Sequence, residues 1–414
     1  MSQAQSSQPV CVVIGASHAG SLLAVQVRKE GWQGRIVLIS AETHMPYHRP
    51  PLSKAVLSGE KAIDAVLLRP ALLYSNNNIE LRLGEQVTQI SRADKTIHLA
   101  SGETLGYDKL ALCTGATPRR LPMGEGLAGV HYLRNADDVA AIKTQMQFGK
   151  RAIIIGGGYI GLEVAAVMSQ HGLQVSIVEM TDRLLQRVAS PVISAYFRLL
   201  HEHHDVDILT NARVEAIRTD GTMLSVLFEG GGVFAADLVV IGIGVLPETA
   251  LASAAGLEVA DGIVVDAYMG TSDPDIVAAG DCTAFPSARY GAIMRLESVQ
   301  NALDQARVAA ANVCGKPVIY DALPWFWSDQ YDVKLQSVGL RLDHEREIVR
   351  GDPHVIDGKG ISVFYLRGDQ MIAADCVNRA KEFMACKKLI AERVPVNLEA
   401  LVNETLGPES FAAT

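Results

Sequence analysis

Twice in one chain of 414 residues an apolar run breaks into a glycine-rich turn and then into a helix-like segment. The first is Val12-Val13-Ile14-Gly15-Ala16-Ser17-His18-Ala19-Gly20, and the second is Ile153-Ile154-Ile155-Gly156-Gly157-Gly158-Tyr159-Ile160-Gly161. Such a turn aims free backbone N–H groups and the positive end of a helix at one point, and its glycines let a pyrophosphate approach the backbone. One turn of this kind is a weak sign of a dinucleotide site. Two imply two nucleotides held by one protein, the arrangement that hydride transfer between them requires.

The two turns are not equivalent. Gly156, Gly158 and Gly161 complete the G-x-G-x-x-G pattern around Tyr159 and Ile160, and the next strand ends in Glu179, 23 residues after Gly156. An acid there meets a ribose 2′-hydroxyl and repels a 2′-phosphate, which favours NADH over NADPH. Met180 adds no positive charge, although Arg183 and Arg187 lie further on. The first turn keeps Gly15 and Gly20, but Ser17 replaces its middle glycine and Ser40 stands where the ribose acid belongs. Glu42, two residues on, reads either as the ribose acid or as a solvated loop acid.

Composition narrows the classes. The chain is 49% hydrophobic and 20% charged, as soluble globular proteins are, and its length predicts two to three domains. No apolar run approaches the ~18 residues of a membrane span. Met1 to Pro9 lack the basic start and apolar stretch of a secretory signal, and a frayed tail is expected there. Six cysteines without a C-x-x-C pair predict reduced thiols, mostly small core hydrophobes, in a cytoplasmic setting. A net charge of −9 argues against nucleic acid as a partner.

Along the chain, a βαβ unit is predicted from a strand beginning at Cys11, a helix over 21–30 and a strand over 35–39. The proline-rich stretch from Ala41 to Gly59 reads as an ordered loop. Short β-like runs predict a meander over 79–110, before a strand that ends in Thr114-Gly115, and another over 206–233. A second βαβ unit covers 151–179, and a buried strand covers 237–244. The run Ala278-Ala279-Gly280-Asp281, leading toward a helix over 297–314, has the texture of the first domain resumed. From Trp325 an aromatic, alternating pattern marks a further domain containing a sheet. His201-Glu202-His203-His204-Asp205 resembles a metal cluster but lies at a helix end with no second ligand group, so no metal site is assigned.

Six blocks in order resemble the pyridine-nucleotide-dependent ferredoxin reductases of bacterial oxygenase systems. They are Pro46-Tyr47-x-Arg49-Pro50-Pro51-Leu52-Ser53-Lys54, Thr114-Gly115-Ala116, Gly156 to Glu163, Thr271-Ser272-Asp273-Pro274 with Ala278 to Asp281, Glu297 to Ala302, and Pro324 to Gln330. The resemblance covers about residues 10–340; beyond Leu340 only length and texture match. It implies an α/β, glutathione-reductase-like fold with two Rossmann-like dinucleotide-binding domains and a C-terminal α+β domain. The FAD domain would be 10–115 with 245–324, the NADH domain 116–244 and the C-terminal domain 325–414.

By the same resemblance, Gly15, Ala16, Ser17, His18, Ala19, Gly20, Glu42, Arg49, Thr114, Gly115, Arg134, Asp281 and Val299 would serve FAD. Gly156, Gly158, Tyr159, Ile160, Gly161, Glu179, Ile243, Gly244 and Glu297 would serve NADH. Lys54 would stand beside the flavin's reactive nitrogen with Glu163 holding its ammonium, and Trp327 would cover the flavin edge that faces an iron–sulfur partner. That partner would be a [2Fe-2S] ferredoxin, with rubredoxin as the alternative and no nucleic acid or membrane involved. Arg307, Lys334, Arg379, Lys387 and Lys388 are candidate docking cations or ordinary solubilising charge.

Two other readings remain. A disulfide or peroxide reductase would need a redox cysteine at the flavin, and neither the 46–59 loop nor the helix after Gly15 carries one. A non-enzymatic flavoprotein of the apoptosis-inducing-factor type would hold NADH without sustained turnover.

Overall fold

The computed structural model describes residues 8–413, so the expected tail falls, up to Ser7, outside the described residues. The strand Val10–Ile14 lies at the centre of a five-stranded sheet. Its order is Ile276–Ala278, Lys109–Leu112, Val10–Ile14, Arg35–Ser40 and Ile79–Leu83. All four pairings are parallel, with Cys11 opposite Ile36 on one side and Lys109 on the other. A parallel strand covered on both faces is apolar throughout, which is why Val12 and Val13 interrupt any alternation. Ile276–Ala278 enters this sheet from far along the chain, so residues on either side of 118–244 build one core.

By its internal contacts the chain divides into two compact units. One takes the described chain up to Arg49, with Ala62–Thr117 and Val245–Ala322. It holds the parallel sheet, the helices His18–Lys29 and Val299–Val313 packed on one another, and a small antiparallel meander over 87–106. The strand Ile79–Leu83, expected in that meander, instead forms the edge of the parallel sheet. An edge strand is half exposed, and its partial alternation mimics an antiparallel pattern.

The other unit contains Pro50–Lys61, Pro118–Gly244 and the chain from Leu323 on. Its parallel sheet runs Asp207–Leu209, Gln174–Val178, Arg151–Ile155, Leu238–Ile241 and Val130–Tyr132. Asp207–Leu209 is again an edge strand that the sequence assigned to a meander; the meander itself is Val214–Thr219, Leu224–Phe228 and Val233–Ala236. From Trp325 a five-stranded antiparallel sheet follows, in the order Trp325–Gln330, Val333–Gly339, Gln370–Val377, Ser362–Arg367 and Arg346–Arg350. The helix Ala380–Glu392 packs on it, and Phe364, Phe383 and Phe411 share its core. No helix among the described residues is long and apolar enough to cross a membrane.

One buried cation fastens the end of the chain. The Arg350 side chain is 3% exposed and pairs with Glu382 at 2.9 Å. Its other N–H groups donate to the carbonyls of Ala400 and Asn403 at 2.8 Å and Leu406 at 2.6 Å. Removing one partner of such a pair leaves the other buried without compensation. Arg350→Met is expected to destabilise the protein by about 3–5 kcal/mol, read as a lower urea midpoint. An unchanged midpoint would refute this anchoring role.

Candidate functional site

In the first unit the glycine turn is a matter of space. Gly15 has φ +99°, and a Cβ there would stand 2.1 Å from the Cys113 carbonyl oxygen; one on Gly20 would stand 1.8 Å from the Gly15 oxygen. The middle position behaves differently. Ser17 is the N-cap of the helix His18–Lys29, with φ −93° and ψ −153°, which any residue adopts. Serine there costs the turn nothing, so this departure from the glycine pattern leaves the geometry intact.

A shallow open cleft adjoins this turn, lined by Ala16, Ser17, Ser40, Glu42, Tyr47 and Arg49 among others. Arg49 pairs with Glu42, which also accepts from the Tyr47 hydroxyl, and Arg49 Nε donates to Ser17 Oγ at 3.2 Å. Burial works against the Arg49 charge, but Glu42, Tyr47 and Asp281 together outweigh it and hold the guanidinium above its ordinary pKa. His18 Nε2 and His48 Nδ1 lie 3.3 Å apart, and burial lowers the His48 pKa. Thr114 Oγ1 donates to the Glu248 carbonyl at 2.6 Å, and Gly115 has φ +72°. Asp281 follows the strand Ile276–Ala278, Ser298 caps the helix that Val299 opens, and Glu297 pairs with Arg295.

In the second unit a Cβ on Gly156 would lie 2.4 Å from the Gly242 oxygen, and one on Gly161 2.1 Å from the Gly156 oxygen. These two glycines permit the close crossing of strand and helix. Gly158 caps the helix Tyr159–Gln170, and nothing lies within 4 Å of where its Cβ would stand. Its small size therefore serves open space beside the turn, where a ligand can approach. Glu179 is tied to the same turn: it accepts from the N–H of Gly157 at 2.8 Å and of Thr181 at 2.9 Å, and from Thr181 Oγ1 at 2.7 Å.

Arg183 donates to the carbonyls of Gln186 and Ala189 and to Ser194 Oγ, so its guanidinium is engaged within its own loop. Ile243 packs on the apolar cluster beside this sheet, Gly244 has φ +99°, and Ile160 is exposed. The Tyr159 ring lies 4.6 Å from that of Phe326. Arg134 is also in this unit, where its backbone N–H donates to Asp138 Oδ2 at 2.8 Å.

The structure brings Lys54 and Glu163 together. Lys54 follows the single turn Pro50–Ser53, and its Nζ lies 2.8 Å from Glu163 Oε2 on the helix Tyr159–Gln170. Glu163 is only 5% exposed. Two hydroxyls absent from the sequence reading complete its shell: Ser53 Oγ donates to Oε2 at 2.5 Å and Ser328 Oγ to Oε1 at 2.6 Å. Both serines lie in blocks already quoted for other residues, and a seryl hydroxyl carries no signal of its partner. Trp327, next to Ser328, is half-buried with its ring 5.6 Å from that of Trp325.

No group of acidic, histidine and cysteine side chains among the described residues could hold a metal ion. His201 is fully buried, and burial holds its pKa down at about 4. All six cysteines are free and five are buried, with the Cys11 thiol pushed up by burial to about 12. Such thiols are poor nucleophiles and poor redox centres. Of the candidate docking cations, Lys334 pairs with Asp329, Arg379 with Glu382 and Glu404, and Arg307 with Asp304, while Lys387 lies over the Trp325 ring.

Residues 9–306 match the family described as pyridine nucleotide-disulphide oxidoreductase, and residues 325–407 match a reductase C-terminal domain. Putidaredoxin reductase of Pseudomonas putida is 44% identical over 402 residues, 95% of this chain and 94% of its own. The ferredoxin reductase subunit of a 5,5'-dehydrodivanillate O-demethylase from a Sphingobium species is 43% identical over 397 residues, 95% of this chain and 96% of its own. A crystal structure of the covalent putidaredoxin reductase–putidaredoxin complex superimposes with a TM-score of 0.92 at 42% identity, covering 97% of this chain and 98% of that one. These matches bear out the resemblance and the α/β class read from the motifs. The chain belongs to the pyridine nucleotide-disulphide oxidoreductase family, in the branch that ends in a reductase C-terminal domain.

Proposed function

We propose that this protein is an NADH-dependent FAD flavoprotein that passes single electrons to a [2Fe-2S] ferredoxin serving an oxygenase. One observation carries the reading: two dinucleotide turns share a chain whose thiols are all free and mostly buried, so its electrons must leave through another protein. The close relatives named above are reductases of small electron carriers, which supports the choice of ferredoxin. The free thiols and the absence of a long apolar helix among the described residues support a cytoplasmic setting. The domain division that goes with this reading assigns 10–115 and 245–324 to FAD, 116–244 to NADH and 325–414 to the C-terminal domain.

The residues present fit both groups. Gly15 and Gly20 let the turn pack closely enough to leave Ala16 and Ser17 lining the adjoining cleft, which the half-buried guanidinium of Arg49 borders with positive charge. At Gly158 the open space beside a helix N-terminus is of the kind that receives a second pyrophosphate. When bound, FAD accepts a hydride from NADH and gives up its electrons one at a time.

The chain's own side chains bind and position. Arg49 neutralises phosphate charge, with Asp281, Thr114, Gly115, Arg134 and Val299 as further FAD contacts. Glu179, already oriented by Gly157 and Thr181, needs only to turn an oxygen toward the ribose 2′-hydroxyl. Arg183 is held by its own loop and offers a 2′-phosphate nothing. Lys54 supplies positive charge where negative charge develops on the flavin ring, and Glu163 keeps that ammonium in one place. Trp327 covers the flavin edge on the acceptor side, and Glu297, Ile243 and Gly244 contact the nicotinamide.

Three measurements test this reading. NADH-driven cytochrome c reduction is expected to rise steeply when a [2Fe-2S] ferredoxin is added and far less with rubredoxin; rates indifferent to both carriers would refute the assignment. Glu179→Ala loses a charged hydrogen bond worth about 1.5–3 kcal/mol, so its KM for NADH should rise by an order of magnitude or more while that for NADPH does not. Equal losses for both coenzymes would remove Glu179 from the ribose. Lys54→Met is expected to keep its FAD but to slow reduction of the flavin by NADH about tenfold or more, as followed by stopped-flow absorbance. Wild-type reduction rates would take Lys54 out of the reaction.

A further inference from the structure

Ser328, which donates to Glu163, is the near end of a longer chain of buried polar groups. Gln330 Nε2 lies 3.3 Å from Ser328 Oγ, His201 Nε2 lies 2.9 Å from Gln330 Oε1, and the Tyr331 hydroxyl lies 3.3 Å from His201 Nδ1. Ser328, Gln330 and His201 are at most 1% exposed. All of these residues belong to the same compact unit as Lys54 and Glu163. His201 comes from the helix Pro191–His203 and the others from the hairpin that begins with the strand Trp325–Gln330.

The polarity of every link follows from the carboxylate at the end. An ionised Glu163 only accepts, so Ser328 must spend its one proton on Oε1 and take a proton from the Gln330 amide. That turns the amide oxygen of Gln330 toward His201, which must then donate from Nε2. His201 Nδ1 is left as the acceptor for the Tyr331 hydroxyl. Burial keeps the imidazole in the neutral form that can donate on one side and accept on the other, with a pKa of about 4. Each link thus donates toward Glu163, and hydrogen bonds aligned in this way polarise one another.

We propose that Ser328, Gln330 and His201 are positioning residues that supply Glu163 Oε1 with its donor and keep the carboxylate aimed at Lys54. This inference rests on the reading that the Lys54–Glu163 pair serves flavin reduction. The relay touches neither coenzyme; it acts through Glu163. Without it, one carboxylate oxygen loses its donor at a site 5% exposed, the charged form is disfavoured, and acid more readily frees Lys54 from its partner.

The titratable groups that face Glu163 are Lys54 from the turn and Tyr159 from its own helix; those that face His201 are Tyr331 from the hairpin and His204 from its own helix. Burial raises the hydroxyls of Tyr159 and Tyr331, the latter to about 12, so neither titrates in the acid range. His204 stacks on Tyr331 at 3.7 Å, and burial lowers its pKa. It is present in every variant below, so a difference between variants is not its own.

The test is the pH profile of flavin reduction by NADH in the FAD-loaded protein, followed by stopped-flow absorbance. In Ser328→Ala the acid limb should move up by about one to two pH units relative to wild type. Gln330→Leu and His201→Leu should move it the same way by less, and His201→Gln, which keeps an N–H for Gln330 Oε1, should restore the wild-type limb. A wild-type profile in Ser328→Ala would overturn the relay even if its melting temperature fell, because a merely structural hydroxyl changes stability without changing the limb. Ser328→Ala removes one oxygen only, so the test stands if His201→Leu does not fold. Glu163→Gln separates the two failures. If it reduces flavin at the wild-type rate, the Lys54–Glu163 reading falls and the relay with it; if it is slow while Ser328→Ala keeps the wild-type limb, only the relay falls.

Discussion

A carboxylate held almost wholly out of water organises the second unit. Glu163 sits on the helix that the second glycine turn opens, and burial of its charge demands donors from elsewhere. They come from Ser53 and Lys54, on a segment more than 100 residues earlier in the chain, and from Ser328, on the first strand of the last sheet. Ser53 and Lys54 share Oε2, whereas Oε1 takes its donor from Ser328. The short segment Pro50–Lys61 is thereby fastened to a unit otherwise built from residues 118–244 and 323–413. His171 Nε2 adds to this, 3.0 Å from the Ser58 carbonyl, as does Lys143 Nζ, 3.3 Å from that of Val56.

What could be read from the sequence follows the range of the forces involved. The glycine turns were legible because their constraint is local: Gly156 must pass within reach of Gly242, and no other residue type allows that approach. Central parallel strands such as Ile153–Ile155 and Leu238–Ile241 declared themselves as unbroken apolar runs. The edge strands Ile79–Leu83 and Asp207–Leu209 did not, since half exposure gives a parallel edge the texture of a meander. Ser17 was read as a defect because the pattern counts glycines, whereas the backbone needs positive φ only at Gly15. Ser53, Ser328, Gln330 and His201 could not be found by spacing, because they meet Glu163 only through tertiary packing. The charged pair was visible only as a motif within the family resemblance.

The thiols explain how this chain departs from the disulphide chemistry in its family's name. Cys11 and Cys113 lie on and just after strands of the first parallel sheet, Cys282 lies beyond a third, and burial raises all three thiols. Cys376 and Cys386 are enclosed in the last sheet and its helix. None stands in the segment before Lys54 or on the helix after Gly15, where a dithiol could receive electrons from a bound flavin. The segment before the first helix of the second unit carries Lys54 instead, paired with Glu163.

The same distinction applies to the cations that might meet an acidic carrier. An arginine already clasped by two carboxylates contributes little outward field, and Arg379, 12% exposed between Glu382 and Glu404, is of that kind. It serves the Arg350–Glu382 cluster that anchors the chain end, rather than a partner. Lys334 and Arg307 are half exposed but each shares its charge with one aspartate, and exposed pairs of this sort are weak and easily exchanged. Lys387 differs, because its partner is the face of Trp325, which attracts the ammonium without cancelling its charge. Trp325 in turn lies against Trp327. Lys388, the next residue on the helix Ala380–Glu392, is exposed, so of the five candidate cations these two neighbours keep the outward positive field that attraction of an acidic protein would require.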